Sequence, residues 1–262
     1  MTDIDLLREE QERERMANKA SERSRLLANE GREDHDPESL LGGKDAEDRI
    51  GFIRKVYAIL SIMITFTFGC IAMTKGVDDL NDWMRQQLVL GCVAALLTFP
   101  ILITLFCCTS VARKVPTNYI LLCALTLCET FVLMWVSSFY TESSILLAAG
   151  MTLAVTIALT IYAFNTDTDF TAMTYTIIIL SIVSMMMCIA YIFIPYKSPW
   201  SHALSAGFVL IYSFYMVWHT QLIAGGKENE LTLDDYVIGA VMLYLDIIYM
   251  FIHILKLVGD YA

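Results

Sequence analysis

The chain has 262 residues, of which 56% are hydrophobic and only 18% charged, with a mean hydropathy of +0.56. That balance excludes an ordinary soluble domain of this size and points to an integral membrane protein. The net charge of −10 says little about nucleic acid, since it is unevenly placed: residues 1–55 hold 11 of the 18 Lys and Arg and 15 of the 28 Asp and Glu, and no nucleic-acid partner is expected.

The first 50 residues form a charged tail. "LREEQERERMANKASERSRLL" alternates acids and bases with i,i+4 pairs such as Glu9 with Arg13, a helix-forming composition. From Asn29 to Asp48 the Gly, Asp, Pro and Ser content predicts a linker. Two acidic dileucine patterns fall here, "ERSRLL" (22–27) and "DPESLL" (36–41). The first is one face of a charged helix, whereas the second, in a linker, is open to a sorting adaptor. The tail contains no apolar signal core, and its acids count against a mitochondrial presequence. Targeting then falls to the first membrane helix, and the tail is the expected contact for any protein partner.

Residues 51–262 form the membrane domain. Seven apolar segments are predicted near 53–74, 87–109, 118–139, 144–164, 172–194, 202–224 and 235–257. At about 1.5 Å per residue each is long enough to cross a hydrocarbon core of about 30 Å. A bilayer leaves no water for unpaired backbone groups, so the segments are helices. The expected fold is an all-α, seven-transmembrane-helix bundle in a lipid bilayer.

Basic residues set the expected orientation. With the N-terminus on the cytosolic or matrix side, the inside segments carry 14 Lys and Arg and the outside segments 4 (Lys75, Arg85, Lys197 and Lys256). All seven cysteines lie in or beside apolar runs and read as reduced packing residues rather than a disulfide framework. Adjacent Cys107 and Cys108, at the end of the second run, are either palmitoylated or simply packed.

Ionisable residues at membrane depth are costly and mark a pathway or a polar lock. Here they are Glu129 in "LTLCETFVL", His219 near the end of the sixth segment, and Asp246 and His253 in "LYLDIIYMFIHIL". Asp246 and His253 are seven residues apart, with Tyr249 between them, and share one stripe of the last helix. Burial favours a neutral Asp246 unless a cation or donor lies nearby. Thr126, Cys128 and Thr130 stand beside Glu129 and are expected to satisfy it locally, and His253 is expected to snorkel to the far interface. Thr232 followed by Asp235 predicts a capping box at the start of the last helix. Whether His219 and Asp246 meet depends on the sixth helix extending past Ile223, which spacing alone leaves open.

No HExxH, GxSxG, Walker loop, dinucleotide turn or CxxC occurs, and Asp246 has no second membrane aspartate of the kind a protease pair requires. No catalytic residue and no enzyme activity is expected. No cofactor is implied beyond a transient Ca²⁺, for which Asp246 is a weak ligand candidate.

Several stretches in order along the chain carry a family likeness: "GFIRKVYAILSIMITFTF" (51–68), "ARKVPTNYILLCALTLCET" (112–130), "SSFYTESSILLAAGMTLAVTIALTIYAF" (137–164), "DFTAM" (169–173) and "HTQLIAGGKENELTLDDYVIGAVMLYLDII" (219–248). Together they resemble the Bax inhibitor-1 family, most closely its Lifeguard-like branch. The resemblance implies a bundle whose last helix is surrounded by the other six, and a pH-sensitive calcium leak from an internal store, associated with restraint of cell death. It also implies a gate of two aspartates on the last two helices. Asp246 matches the second, while His219 stands where a "YDTQLI"-like motif has the first. A "KxDF" stretch departs too, reading "NTDTDF" with Asp167 where a base is common.

Two carboxylates share a proton and attract Ca²⁺, an oxygen-seeking cation. A His-Asp pair instead favours imidazolium against carboxylate and removes one calcium ligand. Two functions are therefore expected of this chain. One is a calcium leak channel or calcium regulator in an endomembrane, its gate formed by Asp246 and His219 with Glu129 in support. The other is a non-conducting accessory subunit of a larger complex, for which the mitochondrial inner membrane is an alternative home.

Overall fold

The computed structural model describes residues 15–16, 19, 22–24, 37–195 and 198–261. It falls into two units, residues 1–50 and 51–262. In the first, the described residues are helical up to the boundary, including everything from Pro37 onward. The linker reading therefore fails over 37–48. "PESLL" within the second dileucine pattern is helical rather than open backbone, with Pro37 in the first turn, where its missing N–H is harmless. Residues 29–36, and 25–27 of the first dileucine pattern, lie outside the described residues.

The described elements are α1 (Pro37–Lys75), α2 (Asp78–Arg85), α3 (Leu88–Cys107), α4 (Thr109–Ala112), α5 (Thr117–Ser138), α6 (Glu142–Asn165), α7 (Thr174–Phe193), α8 (Pro199–Ala224) and α9 (Tyr236–Val258). Seven of them contain segments long and apolar enough to cross a membrane, with Ala46–Lys75 as the crossing part of α1. The protein is thus an all-α, multi-pass membrane protein, as its hydropathy predicts. Sequence reading missed α2, in which Met84 is buried while Trp83 is exposed. It also started α8 three residues late. Ser198 accepts a hydrogen bond from the Ser201 N–H and Pro199 occupies the first turn, so the helix begins before its apolar run.

The ends of the helices follow local chemistry. Thr141 caps α6 by accepting from the Ser144 N–H at 3.3 Å, which lets α5 and α6 follow one another with almost no loop. At the other end of α8, Gly225 and Gly226 have φ of 73° and 72°, a left-handed turn open to glycine and strained for other residues.

α9 is the core of the bundle. Of its membrane-crossing window 72% is buried, against 39% or less for any other crossing helix. It packs on α8, α6 and α5. α1 reaches it through Phe68 against Phe251, with ring centroids 5.0 Å apart, and α7 through Tyr191 against His253 at 6.4 Å. α3 packs chiefly on α5, where Gly91 lets the Trp135 ring approach the backbone. The outer helices turn large apolar side chains outward, as lipid contact requires. Cys107 and Cys108 are both exposed.

Candidate functional site

The site grows from α9, which carries Asp246, Tyr249 and His253 along one stripe and Tyr244 on the opposite side. Tyr244 meets α1, Tyr249 meets α5, and Asp246 and His253 both meet α8. α8 continues to Ala224, one residue past Ile223, and its last turns lie against α9. His219 Nδ1 stands 2.6 Å from Asp246 Oδ2, with side-chain exposures of 15% and 4%. The question left open by spacing is settled: the two residues meet. The imidazole lies between Tyr215 and Trp218, at ring-centroid distances of 6.0 and 5.0 Å.

One turn beyond Asp246, the Tyr249 hydroxyl donates to Glu129 Oε1 at 3.0 Å. The expectation of local satisfaction for Glu129 is thereby corrected. Thr126 bonds back to the Leu122 carbonyl at 2.8 Å and Thr130 turns to Thr67 at 2.9 Å. A helix-interior hydroxyl readily bonds back to the carbonyl four residues earlier, as Thr126 does, and the acid is served from another helix. Thr67, Thr130 and Tyr244 form a hydroxyl cluster joining α1, α5 and α9, with both contacts to Thr67 at 2.9 Å. Thr67 and Tyr244 were missed, because buried hydroxyls in an apolar helix carry no distinguishing pattern.

His253 does not snorkel. Its ring stacks on Phe208 at 4.4 Å and lies 6.0 Å from Tyr212, so aromatic packing holds it inside the bundle. It extends the stripe that begins at Asp246, and Tyr212, 5.5 Å from Tyr249, lines it from α8.

The end of the bundle that holds the α8–α9 turn is tied by polar contacts. Arg113 grips Asp235 bidentately, with Nε to Oδ1 and Nη2 to Oδ2 both 2.8 Å, and Nη2 also donates to the Thr232 hydroxyl at 3.0 Å. The Thr232 hydroxyl in turn donates to Asp235 Oδ2 at 2.5 Å. The predicted capping box is therefore not formed: α9 starts at Tyr236 and Thr232 serves the carboxylate instead of a backbone N–H. Burial pushes the Asp235 carboxyl up, but the Arg113 and Thr232 hydrogen bonds and the Arg113 charge outweigh it and hold the group below its ordinary range.

Gln221, two residues after His219, bridges to the α6–α7 connection. Its amide donates to the Thr168 carbonyl at 2.9 Å and its carbonyl accepts from the Phe170 N–H at 2.8 Å. Asp169 accepts from the Thr171 hydroxyl at 2.6 Å and the Glu228 N–H at 2.9 Å, which keeps its carboxyl below the ordinary value. The cation missing from the "NTDTDF" stretch arrives from the other turn, since Lys227 donates to the Asp167 carbonyl at 3.1 Å.

With the fold and these contacts in place, comparison with known proteins places the chain. Residues 49–261 match the family model described as inhibitor of apoptosis-promoting Bax1. The chain belongs to the Bax inhibitor-1 family. Among curated relatives in it, human Protein lifeguard 3 is 32% identical over 82% of this chain and 70% of its own length. The mouse protein of that name is also 32% identical, over 82% and 71%. The Golgi anti-apoptotic protein of vaccinia virus (strain Lister) is 28% identical over 80% and 85%. Within this Bax inhibitor-1 fold the His219–Asp246 pair joins the two helices on which the family resemblance implies a gate. As a calcium site it is poor by ligand count: Ca²⁺ takes six to eight oxygens, and Asp246 offers one carboxylate with an oxygen already bonded to imidazole. Among the described residues no three His, Cys, Asp or Glu side chains converge on a metal-sized site.

Proposed function

We propose that this chain is a pH-sensitive calcium leak protein, or regulator of calcium homeostasis, of an endomembrane, that it restrains cell death, and that His219 and Asp246 form its gate. The observation that carries the reading is the partly buried 2.6 Å contact between the last two helices. Membership of a family described as inhibiting apoptosis-promoting Bax1, and likeness to a Golgi anti-apoptotic protein, support the cellular role and the compartment.

Proton counting gives the direction of gating. Imidazolium facing carboxylate is neutral overall and closed. One further proton turns the carboxylate into an acid, the attraction of imidazolium for carboxylate is lost, and the pair carries a net positive charge in a low-dielectric site. One proton fewer leaves a neutral imidazole that still donates through Nδ1, so the contact survives. A His-Asp gate therefore opens on acidification, whereas two carboxylates sharing a proton lose their lock when that proton leaves. Glu129, held to α9 by Tyr249, supports the closed packing one turn away. Calcium flux in proteoliposomes between about pH 6 and 8 tests the reading. Flux that rises as pH falls supports it, and no flux at any pH from folded protein overturns it.

A second reading, a non-conducting accessory subunit, is favoured by the sparse ligand set, since both interior carboxylates, Asp246 and Glu129, already accept hydrogen bonds. Stoichiometric co-purification with a large complex through residues 1–50 supports this alternative, and a monodisperse monomer in mild detergent opposes it.

A further inference from the structure

A groove of about 380 Å³ opens on the lipid-facing side of the bundle between α1 and α5. Its walls include Ile59, Met63 and Phe66 on α1 and Tyr119, Cys123 and Leu127 on α5. Both rows follow helical spacing, so each is one continuous stripe. Thr126, the hydroxyl in the wall, donates to the Leu122 carbonyl, which leaves it no free donor for a ligand. An apolar wall of this kind accepts an alkyl chain and rejects water and polar ligands.

The mouth is different. Lys55 precedes Ile59 by one turn on the same α1 stripe and is exposed. Its Nζ lies 5.9 Å from the centre of the Tyr236 ring, which is 6.3 Å from the Tyr119 ring at the head of the groove. The Tyr119 hydroxyl donates to the Tyr236 hydroxyl at 3.5 Å, which leaves the Tyr236 proton as the phenol donor at the mouth. A cation and two phenols therefore stand at one end of an apolar channel, where interfacial Tyr and Lys meet headgroups. Among the described residues no carboxylate lies within ion-pair distance of Lys55. From Lys55 to Phe66 the helix rises roughly 16 Å, about half of a 30 Å hydrocarbon core. That is the depth of one leaflet.

We propose that this groove binds one acyl chain of an anionic phospholipid, with the phosphate held at the mouth by Lys55 and the Tyr236 hydroxyl. Charge, depth and apolar walls each match one part of such a lipid. The proposal is independent of whether the protein conducts calcium.

The test uses the full chain in nanodiscs containing equal phosphatidylglycerol and phosphatidylcholine, released for native mass spectrometry. One phosphatidylglycerol is retained per chain, favoured about fivefold over phosphatidylcholine, as one basic side chain near an anionic headgroup predicts. Lys55→Gln removes the preference and Lys55→Arg keeps it. Cys123→Trp fills the groove and abolishes retention of either lipid, with unchanged helix content confirming the fold; Ile62→Trp on the facing wall replaces it if that variant does not fold. Equal retention of the two lipids overturns the proposal, as does a preference that survives Lys55→Gln. So does retention of added cholesterol in place of phospholipid, or a dimer that covers the groove.

Discussion

His219 on α8 and Asp246 on α9 meet at 2.6 Å although 27 residues separate them, and the Gly225–Gly226 turn is what folds one helix back on the other. The contact closes only while α8 lies against α9. Any motion that parts these helices must first break it or change its proton count.

His219→Asp therefore inverts the pH response. Two facing carboxylates share a proton and lose it as pH rises. Calcium flux through this variant is expected to rise toward pH 8, opposite to the parent protein, while Asp246→Asn, which lacks the carboxylate that takes up the proton, loses the rise in flux on acidification. Proteoliposome flux over about pH 6 to 8 measures all three proteins.

Tyr249→Phe removes the donor to Glu129 and leaves a buried carboxyl without that partner. Hydrogen bonds between helices in a membrane contribute about 0.6 kcal/mol on average and up to about 1.7. The variant is expected to lose stability within that range in a detergent unfolding titration. Glu129→Gln, whose amide oxygen still accepts from the tyrosine, is expected to lose less.

The Arg113–Asp235 pair predicts an acid-side loss of stability. Asp235 has a folded pKa below its unfolded one, so its contribution is fully present above the ordinary carboxylate value of about 3.9 and disappears as pH falls through the folded value. Arg113→Gln lowers the thermal midpoint at neutral pH and flattens its decline below about pH 4. A decline of unchanged steepness in the variant would show that other carboxylates carry the effect.

Gly91→Leu tests the α3–α5 contact. A Cβ at this position already meets Trp135 at 3.0 Å, so a larger side chain must push the ring or the helix away. Overpacking of this kind costs about 1–3 kcal/mol. The expected sign is destabilisation with a change in tryptophan fluorescence.

Much of the site was legible as residue identities and little of it as contacts. Asp246, Tyr249 and His253 share a stripe because helical period dictates it. Glu129 and His253 show where that reasoning ends. Thr126 and Thr130 are Glu129's sequence neighbours, yet one bonds to its own helix and the other to Thr67. His253 sits close enough to its helix end to snorkel, yet Phe208 and Tyr212 offer stacking faces that spacing along α9 cannot reveal. Arg113 and Gln221 gave no signal as loop ties, although Gln221 belongs to the same "HTQLI" stretch as His219.

The sequence by itself determined the seven crossings, because helix formation across hydrocarbon is a local demand: every backbone N–H and C=O must find its partner within the same segment. It also determined which side chains are expensive at that depth and therefore in need of partners. Tertiary structure alone decided who those partners are. In hydrocarbon an apolar face distinguishes poorly between lipid and a neighbouring helix, so the rotation of each helix is set by packing and by a few polar contacts between distant segments. Asp246 finds His219, Glu129 finds Tyr249 and Asp235 finds Arg113 only once α9 is enclosed by its neighbours.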